Sequence, residues 1–346
     1  MYTANSGRRN TLGDISLLYV AVLARAISRE GMDPQPLLAR FDLDECRLGA
    51  PDARISIPRF MRLGHAAVEL TGNPALGLLM GELTRPVDTG RAGLAAQTAP
   101  DAGQALSTLI HYDLLTSQNS RGQPSMGPGR GYAEFYSIRP YNAFNFFVVD
   151  SVLAGWTQFL RLITGRTQVL AKVTIEYPEQ GLDAEFERWF GCPVSFGEKH
   201  NRVYLAPGLS SLPSQQSQPA MHRLLCEDCN QALSRLQSGW GTADRVRDKL
   251  TTLLEGAPPR LEHLAEELGM TPWTLQRRLT QEGTGFRALL DATRKDLGLE
   301  YIRETRLAFS EIAWLLGFSG AAAFHKAYLR WHGCNPGEHR RQLNKA

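Results

Sequence analysis

The most constraining feature of this sequence is a helix–turn–helix pattern that occurs twice towards the carboxyl end. In the first copy, leucines recur at helical spacing on both sides of the triplet Gly269-Met270-Thr271, which interrupts the pattern. Gly269 can adopt the positive φ that a sharp corner requires, Thr271 is a good N-cap, and Pro272 suits the first helical position. These residues predict two short helices joined by a tight turn.

The second copy follows 48 residues later. Ile312-Ala313-x-x-Leu316-Gly317 repeats Leu264-Ala265-x-x-Leu268-Gly269, and one extra residue follows the second turn. A helical stretch at 286–304 separates the copies and would span roughly 28 Å. A helix of that length can hold two recognition helices about one DNA turn, roughly 34 Å, apart. The sequence therefore predicts an all-α module at 260–343, with helix–turn–helix units at 261–282 and 310–331 joined by a long linker helix.

The second copy continues into a longer motif that ends at Arg340. It is Glu311-Ile312-Ala313-x-x-Leu316-Gly317-Phe318-x6-Phe324-x3-Tyr328-x-x-Trp331-x-Gly333-x-x-Pro336-x-x-x-Arg340. This motif resembles the signature of the AraC family of bacterial transcription regulators almost position for position. The sequence departs from the family at Gly298, where Ala is usual, and at Cys334, which lies in the Gly-x-x-Pro turn.

The amino-terminal part of the chain carries three further patches. They are Asp52-Ala-Arg-Ile-Ser-Ile-Pro58, Leu70-Thr-Gly-Asn-Pro-Ala-Leu-Gly77 and Phe190-Gly-Cys-Pro-Val-x-Phe196. They are similar to the N-terminal domain of one branch of the family, which bears the label "arabinose-binding". The α/β pattern here differs from the sugar-binding β-barrel of the founding member, so the resemblance does not carry arabinose to this chain.

Residues 13–208 show the pattern of a mixed α/β domain. A strongly apolar helix is predicted at 145–164, and period-two alternation predicts a strand at 133–139, with 114–121 as its partner strand. We expect a flexible lead at 1–12, and connecting helices with glycine- and proline-rich hinges at 209–259. The predicted fold is thus an α+β sensor and dimerisation domain, followed by the all-α module.

Composition fits a cytoplasmic DNA-binding protein. From Thr242 onward the chain carries 16 Lys+Arg against 13 Asp+Glu, whereas the remainder carries 22 of each. The five cysteines form no dense framework, and Cys226-Glu-Asp-Cys229 lacks a second ligand pair for zinc. No run of 18 apolar residues and no signal-peptide core is evident, so neither a membrane partner nor secretion is expected.

Candidate DNA contacts lie on the two recognition helices. Trp273, Gln276 and Arg277 are predicted to face away from Leu275 and Leu279. Gln can pair with adenine and Arg with guanine, and Trp can pack on a thymine methyl group or a sugar. The resemblance implies that these positions reach the major groove. Further candidates are Thr271, Arg278, Arg294, Ser319, His325 and Lys326. Helix capping is the alternative role of Thr271 and Ser319. A structural ion pair is the alternative role of Arg294.

The sequence indicates an effector site in the N-terminal domain less clearly than it indicates the DNA contacts. His111 and Tyr112 stand at a predicted helix end, and Phe146 and Trp156 lie on the apolar helix, where they could line a cavity. An aromatic stripe at helical spacing also fits plain core packing. The sequence contains no catalytic set, metal-ligand spacing or cofactor motif.

The sequence indicates a transcription regulator and not an enzyme. The expected partners are promoter or operator DNA, RNA polymerase, a second copy of the chain, and a small-molecule effector whose identity stays open. Activation is the expected sign, with repression also open. One alternative is an alkyl-acceptor DNA-repair enzyme that uses Cys192 or Cys226 as a reactive thiol. A second is a regulator controlled by protein partners alone.

Overall fold

The chain folds into two compact units. The computed structural model describes residues 13–49, 53–119, 122–137, 141–238, 241–254, 256 and 258–343, so the predicted flexible lead at 1–12 lies outside the described residues. Internal contacts define an N-terminal unit, Asp14–Leu236, and a C-terminal unit, Gln237–Ala346. The region 209–259, interpreted from the sequence as a connection, is therefore divided between the two units, because its helices pack onto them.

The N-terminal unit is mixed α/β, as predicted. Its helices are α1 (Leu18–Arg29), α2 (Gln35–Arg40), α3 (Glu45–Leu48), α4 (Ile57–Thr71), α5 (Leu76–Glu82), α6 (Gly90–Gln97), α7 (Ala102–His111), α8 (Phe146–Thr164), α9 (Asp183–Phe190) and α10 (Pro219–Ser238). Its strands are β1 (Asp14–Ser16), β2 (Arg54–Ser56), β3 (Ser117–Gln118), β4 (Ser125–Met126), β5 (Tyr132–Phe135), β6 (Leu170–Thr174), β7 (Val194–Ser195) and β8 (Asn201–Leu205).

The described strands form two sheets, with the orders β2-β1-β3 and β4-β5-β8-β6-β7. The prediction that 114–121 pairs with the strand at 133–139 is wrong, because β3 joins β1 and β5 lies between β4 and β8. Arg54 on β2 explains the choice of β3. Its guanidinium donates to the Leu115 and Thr116 carbonyls, each at 3.2 Å, and ties this segment to the first sheet.

Helix α8 is the centre of the N-terminal unit. Its apolar side chains, including Val149, Leu153 and Leu160, are buried against both helices and sheet. Within the part of the chain that the structure describes, α8 alone is long and apolar enough to cross a membrane, and 61% of its apolar window is buried inside the protein. Burial of this kind is what a core helix of a globular unit requires.

Helices α5 and α8 approach each other so closely that only glycine fits at two positions of α5. A Cβ atom at Gly77 would lie 2.6 Å from the Asp150 Cβ, and one at Gly81 would lie 2.3 Å from the Ala154 Cβ. Both distances are far shorter than a van der Waals contact between carbon atoms. The spacing of the two glycines therefore sets the separation of the two helices.

Asp150 lies at this crossing and is only 2% exposed. The Tyr177 hydroxyl donates a hydrogen bond to its carboxyl group. Burial raises the pKa of Asp150 to about 8, although the Tyr177 hydrogen bond opposes this rise. Asp150 is therefore largely protonated at neutral pH, and the core avoids an uncompensated charge.

The C-terminal unit is all helical in its described residues. Its helices are α11 (Thr242–Leu253), α12 (Leu261–Glu267), α13 (Pro272–Gln281), α14 (Phe286–Glu304), α15 (Phe309–Leu315), α16 (Ala321–His332) and α17 (Pro336–Leu343). Val246 and Leu250 of α11 share a core with α12 and α13. Because α14 contacts α16 and precedes the second motif as α11 precedes the first, the repeated element is a group of three helices.

Helix α14 contains a glycine where an alanine would fit. A Cβ atom at Gly298 would lie 3.4–3.7 Å from Phe324, Leu316 and Trp331, which is ordinary contact. Since glycine costs about 1 kcal/mol relative to alanine inside a helix, we expect Gly298→Ala to stabilise the C-terminal unit by roughly that amount. Slower amide hydrogen exchange in α14 and α16 measures this gain. As a contrast, Gly81→Ala should speed exchange in α5 and α8, and a faster exchange at Gly298→Ala would contradict the prediction.

The buried carboxyl group of Asp150 predicts a pH dependence of stability. Its pKa is raised on folding, so the folded state keeps a proton that the unfolded chain loses above about pH 4. Stability of the N-terminal unit should therefore fall as pH rises towards about 8, by at most about 1.4 kcal/mol per pH unit for this group. The free energy of unfolding, measured by urea denaturation, should differ less between pH 6 and pH 8 in Asp150→Asn than in wild type. Asp183→Asn, at an exposed site, should leave it unchanged. An equal pH dependence in wild type and Asp150→Asn would refute this.

Candidate nucleic-acid interface

The two helix–turn–helix corners have the same backbone geometry. In the first, Gly269 has a φ of 64°, and the Met270 N–H donates to the Ala265 carbonyl at 2.8 Å. In the second, φ at Gly317 is 63°, and the corresponding hydrogen bond is 2.9 Å long. A positive φ strains any residue with a Cβ, so glycine allows each corner to close. The sequence repeat is thus a structural repeat.

Helix α13 presents the polar face that the sequence predicts. Leu275 and Leu279 are fully buried, whereas Gln276 and Arg277 are exposed and Trp273 is 69% exposed. The Arg277 guanidinium lies over the Trp273 ring, 4.9 Å from its centre. This cation–π contact restrains both side chains on the surface. An exposed indole, amide and guanidinium therefore lie together on one helix face.

Two more of the candidate residues, Thr271 and Arg278, lie at the start of α13 and towards its end. The Thr271 hydroxyl accepts a hydrogen bond from the Thr274 N–H at 3.2 Å, so Thr271 caps the helix. Arg278 is exposed, with its guanidinium 3.9 Å from the Met270 sulfur. This weak contact leaves Arg278 accessible from solvent.

Helix α16 presents a smaller polar surface. Lys326 is exposed, but His325 is only partly exposed, because its ring packs edge-on against Phe309 with 5.0 Å between ring centres. The capping role that the sequence offered as the alternative for Ser319 does not apply to this helix. The extra residue after the second turn makes Gly320 the N-cap, and no side chain caps the helix there. Ser319 is nevertheless exposed beside the start of the helix.

Arg294 of α14 fixes the second corner from inside the unit. Its Nε and Nη2 donate to the Leu316 and Gly317 carbonyls at 2.8 and 2.7 Å, and its guanidinium lies 4.5 Å from the centre of the Phe318 ring. These donors satisfy carbonyls at the end of α15 that have no partner within that helix. Arg294 is therefore a positioning residue, and its partners are carbonyls instead of the ion-pair partner considered from sequence.

Acidic residues tie each recognition helix to the helix that supports it. Asp291 of α14 accepts hydrogen bonds from Arg330 at 2.6 Å and from the Trp331 indole at 3.0 Å, near the end of α16. Glu282, directly after α13, accepts the Thr242 N–H at 2.7 Å at the start of α11. Backbone donors at that helix start lower the pKa of Glu282. Both recognition helices are thus anchored at their carboxyl ends.

The four predicted effector residues do not form one site. Trp156 lines a cavity of about 110 Å³ inside the N-terminal unit. His111 and Tyr112 border a separate, more open and more polar depression. Tyr112 is buried, and its hydroxyl donates to Asn230 at 2.9 Å. Phe146 stacks on Tyr177 with 4.5 Å between ring centres and belongs to the core around the sheet.

The cavity contains polar residues that the sequence reasoning missed. Asp113, Ser137 and Tyr19 border it, together with Arg85 at the edge. They come from separate segments that carry no common spacing or motif, so no local signal could have grouped them.

Cys192, Cys226 and Cys229 do not have the surroundings of reactive thiols. Burial raises the pKa of Cys192 to about 11, although Arg161 opposes the rise, and burial raises the pKa of Cys229 to about 11 as well. Burial also raises the pKa of Cys226. Since the thiolate is the nucleophile, these shifts suppress reactivity at neutral pH. Cys229 instead packs on α10 against Ala92 and Tyr112.

Two models of known protein families match this chain. Residues 31–214 match the family described as "Arabinose-binding domain of AraC transcription regulator, N-term". Residues 264–342 match a family described as "Helix-turn-helix domain". The first match alone covers more than half of the chain.

Relatives align with this chain over nearly its whole length. The chain is 26% identical to the "Ornithine utilization regulator" of Pseudomonas aeruginosa, over 94% of this chain and 96% of that protein. It is 28% identical to the "HTH-type transcriptional regulator VirS" of Mycobacterium tuberculosis, over 90% and 91%. The crystal structure of transcriptional regulator CdpR from Pseudomonas aeruginosa aligns with a TM-score of 0.43 at 22% identity, over 92% and 97% of the two chains. The chain belongs to the AraC family of DNA-binding transcription regulators, with an N-terminal domain of the arabinose-binding type and a C-terminal helix–turn–helix domain.

Proposed function

We propose that this regulator reads a specific operator with α13 and α16, which enter successive major grooves of double-stranded DNA. The observation that carries the proposal is the exposed face of α13, where Arg277 lies over Trp273 beside Gln276. Arg and Gln match the hydrogen-bonding edges of guanine and adenine, and Trp suits a thymine methyl group or a sugar. The Trp273 side chain is 69% exposed, so its indole is accessible to a nucleic acid.

We assign different roles to the two recognition helices. Helix α16 carries the exposed Lys326, the partly buried His325, and small residues at Ala321 and Ala322. A lysine without neighbouring base-reading amides acts mainly on phosphate, which positions the protein without selecting sequence. The first unit then supplies most of the sequence recognition, and the second supplies most of its electrostatic support. Thr271, Arg278 and Ser319 add contacts at the helix starts and flanks.

The N-terminal unit is proposed to sense a small molecule and to form a homodimer. The cavity that Trp156 lines supports the proposal that this unit binds a small molecule. Effector binding would change how the two DNA modules of a dimer are presented to the operator and to RNA polymerase, through the segment 239–259. We place this regulation in the cytoplasm.

The first prediction from this proposal concerns α13. Trp273→Ala and Arg277→Ala should each weaken operator binding by about 1–3 kcal/mol, which is roughly 5- to 150-fold, because each removes a base-edge or sugar contact. Both side chains are exposed, so the fold should persist. The measurement is footprinting and gel-shift titration on DNA from upstream of the chain's own gene and its neighbours, at one fixed salt concentration.

Arg188→Ala is the matched control, because it removes an exposed positive charge from α9 of the N-terminal unit. Its affinity for the operator should equal that of wild type. A footprint that persists in both α13 variants, or that Arg188→Ala weakens as much, would mean that α13 does not read the operator.

A second prediction separates phosphate contact from base reading. Lys326→Ala should weaken binding to specific and to non-specific DNA by a similar factor. It should also reduce the slope of the logarithm of the binding constant against the logarithm of the salt concentration by about 1. Trp273→Ala should leave that slope unchanged, because it removes no charge. Gel-shift titrations at several salt concentrations measure both slopes. Equal slopes for wild type and Lys326→Ala would exclude a phosphate contact.

A further inference from the structure

The cavity of the N-terminal unit has the size of a small organic ligand. Its volume of about 110 Å³ is several times the ~10–15 Å³ that one water molecule needs. Side chains from α4, α5, α8 and β5 form its walls, among them Phe60, Met80, Phe135, Trp156 and Phe159. Such walls offer apolar and aromatic contact and few hydrogen bonds. They suit an apolar body and do not suit a sugar.

One carboxylate faces this apolar space without a counter-ion of its own. Asp113 borders the cavity, and among the described residues its side chain has no hydrogen-bond or ion-pair partner. The nearby Arg54 already bonds to Asp14 and to the Leu115 and Thr116 carbonyls. Asp113 is half-buried, and a carboxylate beside apolar side chains costs free energy unless a cation or a proton compensates it.

A second polar group beside the cavity also has no partner among the described residues. The Ser137 side chain lines the cavity and is buried, and its hydroxyl makes no hydrogen bond within the described part of the chain. Buried hydroxyl groups almost always have a partner, from the protein or from a bound molecule. The Tyr19 hydroxyl, by contrast, already lies 3.3 Å from the Thr116 hydroxyl.

The electrostatics of the cavity favour a cation. Burial raises the pKa of Asp113 to about 7, with Arg54 opposing the rise, so a proton compensates this group in part near neutrality. Burial and the Asp113 charge also raise the pKa of Tyr19, which therefore stays neutral. Arg85 is the alternative anchor for an anion, but its side chain is 62% exposed and bonds to Asp88 at 3.2 Å. A solvated, paired arginine attracts an anion less than a half-buried carboxylate with no ion-pair partner among the described residues attracts a cation.

We propose that this cavity binds a small amphipathic amine, with its ammonium group at Asp113 and its apolar body among the aromatic side chains. The ligand class deepens the effector control proposed above and rests on it. A charged hydrogen bond in such a site contributes about 1.5–3 kcal/mol. Selectivity for the amine over its neutral analogue should therefore be about tenfold or more.

Gly155 of α8 supplies a way to close the cavity without disturbing the core. It lines the cavity, and a Cβ atom built on it would meet no other atom within 4 Å. Gly155→Leu should therefore fill ligand space and retain the fold, since leucine also favours the helix. Asp113→Asn removes the negative charge and keeps the shape.

The experiment is isothermal titration calorimetry of the full-length protein with three probes of similar shape. These are 2-phenylethylamine, 2-phenylethanol and phenylacetate, which are cationic, neutral and anionic. The amine should bind about tenfold more tightly than the alcohol, and phenylacetate should bind least. Asp113→Asn should remove the advantage of the amine and leave the alcohol within about twofold. Gly155→Leu should abolish binding of both, and Asp183→Asn, at an exposed site, should change neither.

A pH series adds a readout that a merely structural role of Asp113 would not give. Binding of the ammonium requires the ionised carboxylate, so the affinity for the amine should be about tenfold lower at pH 6 than at pH 8. The alcohol should show no such change, and Asp113→Asn should remove the change for the amine.

Three results would overturn the proposal. They are equal affinity of the amine for wild type and Asp113→Asn, tighter binding of phenylacetate than of the amine, and no saturable binding of any probe. Operator footprinting without probe tests the proposed function separately. A footprint with no probe binding rejects only the amine site, whereas probe binding with no footprint rejects only the operator assignment.

Discussion

The placement of α16 depends on the fork of hydrogen bonds that Arg294 makes to the end of α15. A charged group inside this unit is tolerated because two carbonyls and the face of Phe318 compensate for the water it has lost. Burial lowers the pKa of Arg294, yet a guanidinium remains protonated. In the first helix–turn–helix unit, the apolar side chains of Val246 and Leu250 on α11 pack against α12 and α13. The two halves of the DNA-binding module thus share a geometry and differ in the forces that hold it.

This difference extends to the surfaces that the two halves present. In the first unit the corner is closed by apolar packing, and Trp273, Gln276 and Arg277 are exposed on α13. In the second unit more of the polar side chains are used internally, since His325 packs on Phe309 and Arg330 bonds to Asp291. A helix whose polar groups serve its own fold has fewer left for bases. The asymmetry of the proposed DNA contacts follows from this use of side chains.

Helix α8 has two contrasting faces in the N-terminal unit. On one, Ala154 and Asp150 meet α5 so closely that Gly77 and Gly81 admit no side chain. On the other, Gly155 borders open cavity space, where the apolar walls end at Asp113. The same helix is therefore tightly packed on one side and borders the cavity on the other. A molecule that fills the cavity would contact α8, which cannot move closer to α5. Ligand binding would therefore shift the packing of the core.

The sequence by itself determined the double helix–turn–helix module, because its signals are local. Gly269 and Gly317 at the corners, the Thr271 cap and the apolar spacing of each helix all act within a few residues along the chain. The tertiary structure alone decided that β3 pairs with β1, that Ser319 stands outside the α16 cap, and that Arg294 bonds to carbonyls. It also brought Asp113 and Ser137 to one cavity and separated Phe146 from Trp156. Strand pairing, buried charge and empty space depend on which distant segments meet, and that information is not contained in the spacing of neighbouring residues.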